Sequence, residues 1–408
     1  MENCKSITEC LACGSQDLIK TLDLGKQPLA NNFKSDPAQP EPIFPLAINR
    51  CGHCNHLQLT HAVDPAIIYT HYLYVSGTSQ TNRDYMQWFA GFVSEQFNGR
   101  AKSVLDIGCN DGTQLDYLKQ AGLDTYGVDP AENIWPTSSA NHRVVCGFWD
   151  KASAAQLGPD QFCAIIAQNS FAHNPDPLPW LVLAKKYLKD QGKIFIQTSQ
   201  ADMVINGEFD TIYHEHVNFY NAYSMKCLAE RAGLHLIDVV KTPIHGNSYI
   251  FVLGKEPKNT FGVQNALAME QSLGLQTAGT YQAWATGVHA LLDQIKDQLA
   301  EFKGFGYHIV GYGAAAKGMT LLNASQIHLD AVVDDNPLKQ NHWCPGTDIP
   351  VVSSNYIAQL PADDIVVFVP LAWNFYTEII GKIRSIRASD KDMFVRYFPT
   401  ITTDFYGN

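Results

Sequence analysis

Apolar and polar positions change rhythm three times along the chain. From residue 103, short apolar runs alternate with amphipathic ones. "SVLDIGCNDGTQLDYLKQAG" reads as a strand ending in Asp106, a glycine turn, and a helix with Leu115 and Leu118 on one side. "DTYGVDPA" is the next strand, ending in Asp129. "CAIIAQNSFAHNPDP" is a strand running into a loop, and "GKIFIQTS" is another strand that follows a helix. Such alternation predicts a parallel sheet with helices on both faces. Over residues 260–303 the period becomes helical, and "WATGVHALLDQIKDQLAEFKG" sets Val288, Leu291, Leu292, Ile295 and Leu299 on one stripe. Strand, glycine turn and helix then recur in "YHIVGYGAAAKGMTLLNAS", and "LDAVVDDNP" brings acids after a further strand, so a second α/β domain begins there. Before residue 103 the pattern is irregular. "PLANNFKSDPAQPEPIFPL" predicts extended loops and short strands, and "IIYTHYLYVSGTSQTNRDYMQWF" crowds aromatic and hydroxyl groups ahead of a helix.

Composition narrows the function classes. With 408 residues the chain exceeds one hydrophobic core, and 46% hydrophobic with 17% charged residues is ordinary for a globular protein. The formal net charge is -11 and no Lys/Arg block occurs, which argues against a nucleic-acid substrate, since such binders need cations to replace phosphate counterions. "MENCKSITECLACG" lacks a basic segment followed by an apolar one, and the longest apolar run, "IVVFVPLAW", is about half of what a membrane span needs. The expected location is cytoplasmic, with a small-molecule substrate and no membrane partner.

Ten cysteines in a reducing compartment do not suggest a disulfide framework. Four form two C-x-x-C pairs, Cys10 with Cys13 and Cys51 with Cys54, each followed by a turn residue. Two such knuckles supply the four thiolates of a tetrahedral zinc shell. A closed shell leaves no position for chemistry, so the zinc is expected to be structural. Cys4 lacks a partner at this spacing and reads as a bystander.

Two glycine turns and one histidine-rich segment carry the candidate chemistry. "LDIGCNDG" follows D-x-G-x-x-x-G through Asp106, Gly108 and Gly112, with Asn110 inside the turn. Glycines allow close backbone approach at a helix N-terminus. Without G-x-G-x-x-G, the turn suits S-adenosylmethionine better than a dinucleotide, and Asp129, followed by Pro130, is placed to meet ribose hydroxyls. Asn169, at the end of a later strand, is assigned to the methionine part of that cofactor. "GYGAAAKG" does match G-x-G-x-x-A, with Asp334 and Asp335 about twenty residues on, but a lone motif is weak. A domain that holds substrate or is purely structural is the stronger expectation. "TIYHEHVNFY" sets His214 and His216 two apart, which excludes the four-residue spacing of the zincin helix motif.

Together the knuckles, "LDIGCNDGT", "FAHNPDP", "YHEHVNFY", "VGYGAAAKGMTLLN" and "DDNPLKQNHWCPGTDIPV" resemble, in order and over nearly the whole chain, the S-adenosylmethionine-dependent sugar C-methyltransferases of deoxysugar biosynthesis. The resemblance implies an α/β protein in three parts: a small zinc-binding domain over 1–75, a Rossmann-like methyltransferase domain over 76–255, and over 256–408 a helical connector with a second Rossmann-like domain that contributes to sugar-nucleotide binding. It implies methyl transfer to a ring carbon alpha to the ketone of a nucleotide-linked keto-deoxysugar, with thymidine diphosphate the expected nucleotide. It also carries site roles onto Tyr213, Glu215, His216, His173 and one of Tyr72 and Tyr74. This chain has "HGNSYIF" from His245 where relatives often read "HGGS" and then an arginine, which puts the sugar's identity in question.

Carbon methylation beside a ketone needs a base for the alpha proton, donors for the enolate oxygen and a methyl sulfonium in line with the carbon. His216 is the expected base because an unperturbed imidazole titrates near neutrality. Glu215 is assigned to orient it or bind a sugar hydroxyl, and Tyr213, His173 or Tyr72 to donate to the enolate oxygen. For His214 a loop-capping role is the better reading. Tyr74, His245, Asn247, Lys317 and Asp335 are the substrate-binding candidates, Lys317 for the diphosphate. The alternatives are a zinc-knuckle methyltransferase acting on another small molecule or RNA, and a non-enzymatic scaffold with a decayed cofactor fold.

Overall fold

A computed structural model describes residues 3–72, 74–98, 102–158, 161–198, 202–244, 247–258 and 260–405. It divides into two compact units that interleave along the chain: Met1–Lys20, Asn49–Asp202 and Glu215–Gln276 in the first; Thr21–Ile48, Met203–His214 and Thr277–Asn408 in the second. The proline-rich stretch is mostly loop over residues 29–42, but the strands that flank it, Leu18–Pro28 and Ile43–Cys51, are long rather than short, and their residues are shared between the units.

The first unit is built on a seven-stranded sheet. In chain order its strands are β1 (Ser103–Ile107), β2 (Asp124–Asp129), β3 (Arg143–Cys146), β4 (Phe162–Gln168), β5 (Leu188–Thr198), β6 (His235–Thr242) and β7 (Ser248–Gly254). Their order across the sheet is β6-β7-β5-β4-β1-β2-β3, with β7 antiparallel to both neighbours and the pairs from β5 to β3 parallel. Strand alternation divides the apolar residues between two faces. Val104, Ala164, Ile166 and Phe195 pack with Phe89 and Val93 of helix α1 (Gln80–Glu95) and Leu115 and Leu118 of α2 (Thr113–Gln120). Leu105, Ile107, Ile165, Ile194 and Ile196 face Leu181 of α3 (Pro177–Tyr187) and Met225 and Leu228 of α4 (Ala222–Arg231). Each of these side chains larger than alanine contributes about 1.5–3 kcal/mol by leaving water. After β1 the chain goes to β2 on one side and later to β4 on the other, so a crevice opens at their carboxyl ends, where ligands bind in open α/β sheets. Helix α5 (Phe261–Ser272) follows β7.

The second unit contains the predicted long helix, α6 (Ala278–Gly304), with Val288, Leu292, Ile295 and Leu299 buried as expected and Leu291 only half-buried at the edge of the stripe. Its own seven-stranded sheet comprises β8 (His308–Tyr312), β9 (Ala331–Val333), β10 (His342–Trp343), β11 (Pro350–Val352), β12 (Val366–Pro370), β13 (Met393–Arg396) and β14 (Thr402–Phe405), in the order β10-β11-β9-β8-β12-β13-β14. All pairs are parallel except the edge pairs β10–β11 and β13–β14. Lys317 lies in the first turn of helix α7 (Ala316–Ser325), not in the glycine turn ahead of it. Among the described residues no helix is long and apolar enough to cross a membrane.

Candidate active site

The N-terminal knuckles fold by local hydrogen bonding. The Gly14 N–H donates to Cys10 O (2.7 Å) and the Asn55 N–H to Cys51 O (3.0 Å), with Gly14 and Asn55 in the left-handed region at φ 79° and 57°. These turns bring Cys10, Cys13, Cys51 and Cys54 together with all four sulfurs within 4.8 Å of one another. The cross-knuckle separations are 3.6 Å (Cys10–Cys54) and 3.5 Å (Cys13–Cys51), close to the ~3.8 Å edge of a tetrahedron with Zn–S bonds of about 2.3 Å. Backbone N–H groups of Cys13, His53 and Cys54 point at the sulfurs, as in a site that stabilises thiolates. The donor set fits zinc, and with four protein sulfurs the shell is closed. Residues from far along the chain hold the module: Arg231 Nη1 donates to Ala12 O (2.8 Å), Asn221 Nδ2 to Asn55 O (3.1 Å), and His56 Nε2 meets Asn218 Oδ1 at 3.0 Å. Burial pushes the His56 imidazole down to about 4, so it stays neutral.

In the crevice of the first unit, Gly108 adopts φ +83°, and a Cβ there would meet Ser170 Cβ at 2.4 Å. The turn after β1 and the loop after β4 therefore touch where only glycine fits. Gly112, at φ +83°, starts α2. Asp129, at the end of β2, is buried and accepts the N–H of Asn110 (2.8 Å) and of Ala131 (2.9 Å), leaving lone pairs on both oxygens; Pro130 between them is partly exposed. Burial raises the Asp129 carboxyl, and burial with the Asp129 and Asp111 charges lifts Asp106 to about 8. Asn169, at φ 53°, turns the chain out of β4 and donates its N–H to Gln197 O (2.9 Å).

The histidine-rich segment meets the tyrosine-rich one within this unit. Tyr72 Oη donates to Glu215 Oε2 at 2.7 Å, Tyr69 Oη to Glu215 O at 3.1 Å, and Glu215 is buried. His173 stacks with Tyr69 (centroids 5.4 Å apart, planes 6°) and with His216 (5.1 Å, 29°). His173 is partly exposed, but its Nε2 is enclosed without a hydrogen-bond partner, and burial with the neighbouring His216 holds its pKa well below the usual histidine range. Two asparagines organise this cluster. Asn133, four residues past Asp129, accepts the Tyr72 N–H (3.0 Å) and donates to Tyr72 O (2.8 Å), joining the tyrosine loop to the cofactor strand. Asn218 donates to Asn174 O (2.8 Å), fixing the His173 loop. Neither asparagine, nor Ser170, is singled out by sequence patterning; for Asn133 and Asn218 the short spacing from Asp129 and His216 is the available signal.

The remaining candidates are dispersed. Tyr74 Oη accepts from Asn82 Nδ2 (3.3 Å), and its carbonyl accepts from Asn110 Nδ2 (3.0 Å), so the hydroxyl on Glu215 belongs to Tyr72. Tyr213 is partly exposed and lies in the segment Met203–His214 of the second unit. His214 is buried there with Nε2 3.3 Å from Phe44 O, in keeping with a structural role. Asn247 is exposed at φ 114°, and His245 lies outside the described residues. In the second glycine turn, Asp334 accepts the N–H of Ala314 (2.7 Å) and of Asn336 (2.8 Å), repeating the arrangement at Asp129, while Asp335 accepts from Tyr312 Oη (3.0 Å) and pairs with Lys382 (3.0 Å).

Sequence comparison accords with this geometry. Residues 10–69 match the family described as "Putative zinc binding domain", residues 79–239 "Methyltransferase domain" and residues 243–399 "C-methyltransferase C-terminal domain". C-methyltransferase NovU from Streptomyces niveus is 29% identical over 391 residues, 92% of each chain. The ubiquinone biosynthesis O-methyltransferase of Pseudomonas aeruginosa is 24% identical over 36% of this chain and 71% of its own. With its four-cysteine cluster, its glycine-turn crevice and these three matches in order, the chain belongs to the family of S-adenosylmethionine-dependent C-methyltransferases that carry a zinc-binding domain and a C-methyltransferase C-terminal domain.

Proposed function

We propose that the chain methylates a ring carbon next to the ketone of a nucleotide-linked keto-deoxysugar, with thymidine diphosphate the nucleotide, through a base-generated enolate. The observation that supports this most is the convergence of His216, His173, Tyr69, Tyr72 and Glu215, because it supplies a base and several donors at one place. Bound S-adenosylmethionine supplies an electrophilic methyl group whose transfer leaves a neutral thioether. Asp129 would accept from its ribose hydroxyls beside Pro130, and the backbone from Gly108 to Gly112 with Asn169 would hold the methionine part. Asp106, kept protonated near neutral pH, lines the floor of the turn without adding a charge.

His216 takes the alpha proton onto its imidazole as the carbon–hydrogen bond breaks and the electron pair moves toward the ketone oxygen. Tyr72 or Tyr213 donates to that oxygen, and His173, its Nε2 enclosed and its imidazole kept neutral by burial, stacks against the base. Glu215, fixed by the Tyr72 hydroxyl, orients His216 or accepts from a sugar hydroxyl. Mass spectrometry of the purified protein with S-adenosylmethionine and a panel of nucleotide-linked 4-keto-6-deoxy sugars tests this. One added methyl on one sugar, lost in His216→Ala, is the expected result. Transfer to none of them, with cofactor binding intact, would refute the acceptor class.

A further inference from the structure

The segment that leads into Glu215 and His216 is gripped by the second unit at alternate residues. Trp284 Nε1 of α6 donates to Glu208 O (2.9 Å), Thr320 Oγ1 of α7 donates to Ile212 O (3.1 Å), and His214 Nε2 sits 3.3 Å from Phe44 O. Between them lies Asp210, bound by three side chains. It is buried, and its Oδ2 accepts from both Trp373 Nε1 (2.7 Å) and Tyr397 Oη (2.7 Å). Its Oδ1 faces Lys317 Nζ at 4.0 Å, and Nζ also lies 4.8 Å from the centroid of the Trp373 ring. Nζ and Oδ1 are both enclosed and neither has a hydrogen-bond partner. A lysine that recognises phosphate presents its ammonium as an accessible point charge. This one is committed to offsetting a buried carboxylate, which would be costly if left unpaired.

We propose that Asp210, held by Trp373, Tyr397 and Lys317, is a positioning residue: it fixes the register of residues 208–214, and the glycine-turn fold of the second unit serves to clamp the stretch that continues into Glu215 and His216. Only four residues lie between Asp210 and Glu215, so a shift of the anchor passes along the backbone with little slack. Tolerance at reacting atoms is tight, since displacement of about 1 Å from a remote change costs roughly 100-fold in rate. The inference rests on the reading that Glu215 and His216 carry the chemistry.

Two variants test it, Lys317→Met, which keeps the apolar stem and removes the charge, and Trp373→Phe, which removes one donor. Each is expected to lower kcat about tenfold or more, to leave KM for the acceptor sugar within about threefold and to leave S-adenosylmethionine affinity unchanged. In the acceptor-free protein, hydrogen–deuterium exchange of peptides covering 208–216 should quicken in both variants, while peptides of β1 and β4 keep the wild-type rate. A tenfold rise in KM with kcat preserved in Lys317→Met would assign the lysine to substrate and overturn the proposal, as would unchanged exchange over 208–216. Wild-type inactivity on every keto sugar would count against the acceptor reading alone, because the exchange measurement needs no acceptor.

Discussion

Gly108→Ala tests the cofactor crevice most directly, and Gly122→Ala is its internal control. Both glycines have left-handed backbone, at φ +83° and +86°. An alanine at either pays the left-handed penalty of about 1–2 kcal/mol. At Gly122 a Cβ meets nothing within 4 Å, so the cost should stop there. At Gly108 it meets Ser170 Cβ at 2.4 Å and Ser170 Oγ at 2.9 Å. Ser170 cannot simply rotate away without cost, because its hydroxyl donates to Ile107 O at 2.6 Å. Losing that hydrogen bond adds about 1 kcal/mol and relieving the overlap about 1–3 kcal/mol. The total is roughly 3–6 kcal/mol for Gly108→Ala against about 1–2 kcal/mol for Gly122→Ala. Urea denaturation of zinc-loaded protein reads the stabilities, and titration calorimetry with S-adenosylmethionine reads the crevice. Gly108→Ala should also weaken cofactor binding by at least tenfold, because the loops after β1 and β4 must separate, whereas Gly122→Ala should bind as the wild type does. Equal destabilisation of the two variants, with equal cofactor affinity, would refute the argument that loop contact at Gly108 shapes the site.

Glu270 provides a pH dependence. Its side chain is buried and accepts the N–H of Ala222, and burial raises it from 4.5 to about 7. Because the folded pKa lies above the unfolded one, stability is fully present below about 4.5 and falls as pH rises through 7, by up to about 3 kcal/mol. Denaturation midpoints between pH 5.5 and 8 should therefore decline in the wild type and flatten in Glu270→Gln; parallel slopes would remove Glu270 as the cause. Tyr72→Phe keeps the ring and deletes the donor to Glu215, so kcat should drop about ten- to a hundredfold with cofactor affinity intact, and an unchanged kcat would dismiss Glu215 orientation from the mechanism. Cys51→Ser removes one of four sulfurs; elemental analysis should show loss of the bound zinc, and heating curves should show a lower transition that added zinc does not restore. Full zinc content in that variant would mean that another residue completes the shell.

Features coded by neighbours in sequence are legible in the chain alone. The knuckles, the D-x-G-x-x-x-G turn and the α6 stripe each depend on spacings of a few residues, and the structure shows them where patterning puts them. What patterning does not reach is set by long-range contact. Tyr72 and Glu215 are 143 residues apart, and only the fold shows that Tyr72, not Tyr74, carries the hydroxyl on that carboxylate. The backbone of the two acids after β9 decides their roles likewise: Asp334 locks the turn through Ala314, which leaves Asp335 to Tyr312 and Lys382. Lys317 reads as a phosphate ligand by residue type, yet Asp210, 107 positions earlier, is its nearest opposite charge. The interleaving of the two units is hidden for the same reason, since a segment as short as Met203–His214 carries no compositional mark of the unit to which it belongs.

The bonds that hold the zinc module have a consequence for synthesis on the ribosome. Every metal ligand has been made by residue 54, so the ion can be captured early. The shell around it comes much later: Asn218 reaches His56 across 162 residues, Asn221 reaches Asn55 across 166, and Arg231 reaches Ala12 across 219. At about 5–20 residues per second, the interval from residue 56 to residue 231 is roughly 9–35 s. For that time the nascent N-terminus has its four cysteines in place but awaits the other half of its packing.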